Sequence, residues 1–104
     1  MAKKRPLGGL QQLLILALVR LEDDAYGASI RRELARVAGR KLSISSIYVT
    51  LVRMEEQGLV ASFDGAVPAT GGRPRRCFRA TPSGIAALKA TRASADKMWS
   101  GVKI

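Results

Sequence analysis

The chain lacks histidine altogether, has one cysteine (Cys77) and five aromatic residues, and sets only eight Asp and Glu against eighteen Lys and Arg. Each shortage closes off a chemistry. Without imidazole there is no Ser-His or Cys-His nucleophile and no histidine metal ligand. One cysteine excludes an internal disulfide and any multi-cysteine zinc site. Five scattered aromatics make no stacking platform for single-stranded nucleic acid. Glu55-Glu56 are merely adjacent on the chain, and Gly71-Gly72 is no nucleotide-binding motif. No enzyme is expected, and neither a cofactor nor a metal. At 104 residues the chain suits one domain and is too short for a two-domain enzyme. Leu, Ile, Val and Phe make up 27 of those residues. That share lies above the roughly 20% below which chains tend to disorder, so a packed core is expected.

What the chain has in excess is positive charge. A net +10 at pH 7 points to polyanions, either nucleic acid or an anionic membrane surface. Lys3-Lys4-Arg5 ahead of the apolar run Leu13–Val19 imitates a signal peptide, but no small-x-small cleavage site follows. Arg20, Glu22, Asp23 and Asp24 end the run instead. The uncharged stretch from Pro6 to Val19 also falls short of the ~20 apolar residues a spanning helix needs. The reading is a cytoplasmic protein without a membrane partner, its residues 1–7 forming a basic tail.

Leu10, Leu13, Leu14, Ala17, Leu18 and Leu21 recur at helical spacing, which predicts a largely buried first helix over 8–21. A second helix follows the acidic turn, with Asp24 as N-cap, Tyr26, Ile30, Leu34 and Val37 on its inner face, and Gly39 as its stop. The third, over about 44–57, has the best local signals. Ser43 is placed as N-cap, Leu42 and Ile47 as a hydrophobic staple, and Gly58-Leu59 as a Schellman ending on Met54. Its inner face is Ile44, Ile47, Leu51 and Met54. Its outer face is Ser45, Ser46, Val49, Thr50 and Arg53, small and hydroxyl-bearing where an ordinary solvated helix carries Glu and Lys.

After Leu59 the period changes to two. Leu59–Phe63 and Arg76–Ala80 read as the strands of a hairpin whose connection runs through Gly71-Gly72-Arg73-Pro74-Arg75. Four arginines and no acid lie between Gly72 and Thr81. Thr81 as N-cap and Pro82 at the first helical position start a last helix. Along it Ile85, Leu88, Arg92, Ala95, Trp99 and Val102 form a heptad-like seam interrupted by Arg92.

Three helices, a hairpin with an arginine-rich tip and a fourth helix are the order of a winged helix-turn-helix, mainly α with a small β-hairpin. Residues 8–81 would form that unit and 82–104 an appended helix. In such a fold the third helix lies in the major groove of double-stranded DNA. Ser and Thr hydroxyls suit phosphates or base edges, an arginine takes guanine through O6 and N7, and Val49 suits a thymine methyl. The helix start near Ser43 offers free N–H groups to a phosphate.

These residues resemble the PadR-type transcriptional regulators of bacteria. The likeness rests on Ala25-Tyr26-Gly27, on Leu42-Ser43 with Ile47-Tyr48, Leu51, Arg53-Met54-Glu55 and Gly58-Leu59-Val60, and on Gly72-Arg73-Pro74-Arg75-Arg76, Phe78-Arg79, Thr81 and Gly84. It spans about residues 8–90 and is specific only in combination. It implies a homodimeric repressor on a pseudo-palindromic operator, dimerising through its last helix together with its first. Ser43, Ser45, Ser46, Tyr48, Val49, Thr50 and Arg53 would then meet DNA, with Arg73, Arg75 and Arg76 at the backbone. Leu10, Leu14, Ile85, Leu88, Ala95, Trp99 and Val102 would form the dimer contact.

Val49 stands where the family often has proline, which bears on operator preference. Cys77-Phe78 replaces an aromatic pair, and the C-terminal region has room for one helix only. That short form resembles the subgroup that responds to small molecules. Several residues keep two readings. Tyr48 either supports the hairpin or contacts phosphate; Arg53 either reads DNA or pairs with Glu56 or Gln57. Arg73 and Arg75 either grip phosphates or are solvated loop charges. Trp99 either anchors the dimer with Ala95 and Val102 or, with Ala95, flanks a small aromatic effector. Cys77 is expected on the packing side of the hairpin. The competing function is a basic architectural or RNA-binding protein that uses charge without sequence readout.

Overall fold

The computed structural model describes residues 6–104, so Lys3-Lys4-Arg5 falls outside the described residues. Helix α1 runs Gly9–Leu21, close to the expected span. Its buried residues are Leu14, Ile15, Ala17 and Leu18, a wider face than the expected stripe because Ile15 is also enclosed. A single 3₁₀ turn, Glu22–Asp24, leads to α2, Gly27–Ala38.

The start of α2 corrects the expectation for Asp24, whose side chain does not cap. Ser29 Oγ accepts from the Tyr26 N–H at 2.9 Å and donates to the Asp24 carbonyl at 2.5 Å, which delays the helix by two residues. Val37, expected on the inner face, is exposed. Gly39 ends α2 in the left-handed conformation that favours glycine. Glu33 of α2 accepts from Arg20 of α1 at 2.7 Å and from Arg36 at 2.8 Å. These two hydrogen bonds hold its carboxyl below the ordinary carboxylate range.

Helix α3, Ile44–Glu56, starts as expected: Ser43 Oγ accepts from the Ser46 N–H at 3.1 Å. It ends as expected too. Leu59 N–H donates to the Met54 carbonyl and Gly58 N–H to that of Glu55, with Gly58 at φ 76°, the paired bonds of a Schellman motif. Strands β1 (Val60–Asp64) and β2 (Arg76–Ala80) pair antiparallel from Val60↔Ala80 to Asp64↔Arg76. The connection is closed below its tip: Gly65 N–H donates to the Arg75 carbonyl at 2.6 Å and Arg75 N–H to that of Ala66 at 3.1 Å. The other edge of β2 is also taken. Phe78 N–H donates to the Ala25 carbonyl at 2.9 Å, and Tyr26 bridges to Cys77, so the link into α2 acts as a third, minimal strand.

Helix α4 spans Pro82–Trp99. Thr81 Oγ1 accepts from Gly84 N–H at 3.0 Å and donates to the Gly58 carbonyl at 2.6 Å, so one hydroxyl caps α4 and ties it to the end of α3. A Cβ at Gly84 would collide with the Leu59 carbonyl, so only glycine lets α4 leave the sheet this closely. The helix stops at Trp99, and a turn through Gly101 carries Val102 away from the expected seam.

One core unites these elements, with Leu14, Ile15, Ile30, Ile47, Leu51, Met54, Val60 and Phe78 fully enclosed. Two expectations change accordingly. Leu7, placed in the tail, is buried and donates its N–H to Thr91 Oγ1 at 3.0 Å. The first half of α4 contributes buried Gly84 and Ala87, with Ile85 and Leu88 packed on the core, so no boundary separates residues 82–91 from the rest.

Candidate nucleic-acid interface

Helix α3 has a closed inner face and an open outer one. Ile47, Leu51 and Met54 are buried, while Ser45, Ser46, Val49, Val52 and Arg53 are exposed. Ser43, Ser46 and Thr50 are partly engaged with their own helix. Ser43 Oγ donates to Ser46 Oγ at 2.9 Å, and Thr50 Oγ1 donates to the Ser46 carbonyl at 2.9 Å. Ser45 has no side-chain hydrogen bond among the described residues. Arg53 forms no ion pair among them, with Glu56 or any other acid; Gln57 instead accepts from Gln11 Nε2 at 3.4 Å. Arg53 shares a shallow hollow with Tyr48, Val49, Val52 and Glu56.

The Tyr48 ring packs. It is half-buried, lies 6.0 Å from the Phe78 ring at a 59° tilt, and sits so close to Gly27 that a Cβ there would be 2.9 Å from it. Its hydroxyl has no partner among the described residues and reaches solvent.

The hairpin arginines divide into engaged and free. Arg75 is half-buried with its guanidinium 4.3 Å above the Tyr26 ring. Arg76 pairs with Glu55 at 3.1 Å and lies 5.2 Å from the Phe78 ring centre. Arg79 lies 5.7 Å from the Phe63 ring centre. Arg73, at the tip, is exposed and has no ion pair among the described residues. Sequence reasoning missed Glu55, which accepts from Ser62 N–H at 2.9 Å and from Ser62 Oγ at 2.6 Å as well as from Arg76. Hydrogen bonds from the Ser62 hydroxyl and amide, with the Arg76 charge, hold its carboxyl below the ordinary range. Only the periodicity of β1, which puts Ser62 opposite Phe78, hinted at this. Cys77 is buried, and its enclosure pushes the thiol up from its usual value.

The dimer residues named from the sequence do not form one surface. Leu14 is fully enclosed in the core of its own chain and cannot touch a second copy. Leu10, Ile85 and Leu88 are half-buried against that core. Ala95, Trp99 and Val102 are exposed, as is every residue from Arg92 to Ile104. No described helix is long and apolar enough to cross a membrane.

A three-helix core with a hairpin braced against its third helix, followed by a projecting fourth helix, defines a winged helix-turn-helix protein. The transcriptional regulator PadR-like family matches residues 15–90, and the chain belongs to that family. It is 38% identical over 77 residues to the transcriptional regulator Rv3488 of Mycobacterium tuberculosis, covering 74% of this chain and 68% of that protein. A PadR family transcriptional regulator from Eggerthella lenta superposes with a TM-score of 0.67 at 29% identity, over 88% of this chain and 80% of the other. A PadR-like regulator from Bacillus cereus shares the fold, with a TM-score of 0.69 at 20% identity over 88% and 84% of the two chains. The chain is therefore a transcriptional regulator and not an enzyme.

Proposed function

We propose that the chain is a sequence-specific, dimeric DNA-binding repressor relieved by a small aromatic effector. One observation carries the DNA reading: Ser45, Val49 and Arg53 stand on an open helix face with no ion pair among the described residues, beside an arginine-bearing hairpin braced to the same helix. A guanidinium left free on such a face suits bidentate contact to guanine, and Val49 suits a thymine methyl. Two copies would present two α3 helices to half-sites about 34 Å apart.

For the dimer, the support is the outer half of α4. Met98 and Trp99 are 79% and 60% exposed, left uncovered by the described residues. Leu16, Val19 and Val37, exposed along an apolar groove between α1 and α2, provide a counter-surface. Aromatic and methionine side chains are enriched in interface cores. Trp99 with Ala95 would then flank an effector near the two-fold axis.

The test is selection of a bound sequence from random duplexes, followed by Arg53→Ala. Arg53→Ala is expected to cost ~1–3 kcal/mol on the selected duplex and little on a scrambled one. Equal losses on both would refute base reading by Arg53. Failure to select any sequence would favour charge-only binding.

A further inference from the structure

The wing is joined to α3 through one carboxylate. Glu55 lies in the last turn of α3, and its two oxygens collect three donors from two strands. Oε2 takes the Ser62 N–H at 2.9 Å and the Ser62 hydroxyl at 2.6 Å from β1; Oε1 takes Arg76 Nη2 at 3.1 Å from β2. Arg76 in turn lies 5.2 Å from the Phe78 ring centre, and Phe78 meets Tyr48, which is again a residue of α3. The loop of contacts closes on the helix where it began.

We infer that Glu55 is a positioning residue that sets the angle between α3 and the wing, with Arg76 as its strut, so that both can engage one duplex at once. The inference rests on the DNA reading proposed above. An ionised carboxylate is the group that fits: it accepts only, and its lone pairs can serve several donors. Glutamine has one acceptor oxygen, and its amide nitrogen would face either the Ser62 donors or the guanidinium. Contacts to the DNA backbone fix register, and base contacts read sequence only when that register is right. A loosened joint therefore damages discrimination before it damages attraction.

This gives an effect that plain electrostatics, which acts alike on every duplex, does not. Glu55→Gln removes a negative charge from a chain of net +10, which by charge alone strengthens binding to any duplex. A positioning role requires the ratio of selected to scrambled affinity to fall.

The experiment compares the full chain with Glu55→Gln, Arg76→Met and Ser62→Ala, using a duplex selected by the wild type and a scrambled duplex of equal length. Thermal melting monitors folding of each. With Glu55→Gln, scrambled-duplex affinity is expected to hold or rise, while the ratio falls about tenfold, the size of one lost base contact. Arg76→Met is expected to lower the same ratio, and the Glu55 and Arg76 changes together to be less than additive, as for partners in one network. Ser62→Ala leaves the net charge alone and is expected to lower the ratio as well, which keeps the test open if Glu55→Gln does not fold. An unchanged ratio in the folded variants overturns the inference. So does an Arg76→Met that weakens both duplexes equally and reduces the salt slope by about one, the mark of a phosphate contact. If the wild type selects no sequence, the DNA reading itself fails, a separate result.

Discussion

Arginine does three different things in the stretch from Gly72 to Thr81. Arg75 stacks above Tyr26, Arg76 is bound to Glu55, Arg79 leans on Phe63, and Arg73 has no ion pair among the described residues. Their number was legible in the sequence; their division was not, because each partner lies many residues away on another element. Arg73 is accordingly the hairpin residue with the strongest claim on phosphate. Arg73→Ala should weaken binding on every duplex and reduce the log–log salt slope by about one. A titration over salt concentration checks this, and an unchanged slope would leave Arg73 as a solvated charge. Cys77 illustrates the reverse case, expected on the packing side of the hairpin and found buried, although its neighbour Phe78, pointing to the other face, is buried as well. Buried and held protonated, it is a poor nucleophile at neutral pH.

At the scale of elements, those with local punctuation were legible. Ser43, Gly58 and Thr81-Pro82 carry their signals within three or four residues, and α3 begins and ends, and α4 begins, where these predict. The opening of α2 was misread because Asp24 and Ser29 are both good capping residues, and only the path of the chain decides for Ser29. The link of Ala25 to Phe78 left no mark in the sequence, since it joins residues more than fifty positions apart through backbone atoms alone. Phe78 is consequently the side chain on which several elements converge. Phe78→Ala should cost ~3–5 kcal/mol of folding stability, the range for a large aromatic removed from a packed core. Thr81→Ala removes only a cap and should cost ~0.5–2 kcal/mol. Chemical denaturation measures both, and the reverse order would contradict this account of the core.

On the scale of the whole molecule, the feature least legible was the division of α4 between the chain's own core and its exposed outer half. The spacing on α4 predicts one seam from Ile85 to Val102, interrupted only by Arg92, yet its first residues serve the domain's own core and Val102 leaves the helix. Periodicity alone does not distinguish an apolar residue that packs within its chain from one that waits for another. Trp99, exposed and the only indole in the sequence, is proposed to be of the second kind. Trp99→Asp should convert a dimer to a monomer in sedimentation. In the wild type, flat aromatic cations should quench the indole emission if the effector site lies there. A variant that still sediments as a dimer would move the interface elsewhere.

The two hydrogen bonds that close the hairpin beneath its tip have a use in protein engineering. With Gly65 and Arg75 clamped, residues 67–74 hang from a fixed base. That base separates the tip from the strand register, from Cys77 and from the core. The tip is thus an exchangeable cassette: its length and basicity can be rewritten, or a tag grafted there, while the scaffold beneath keeps its shape.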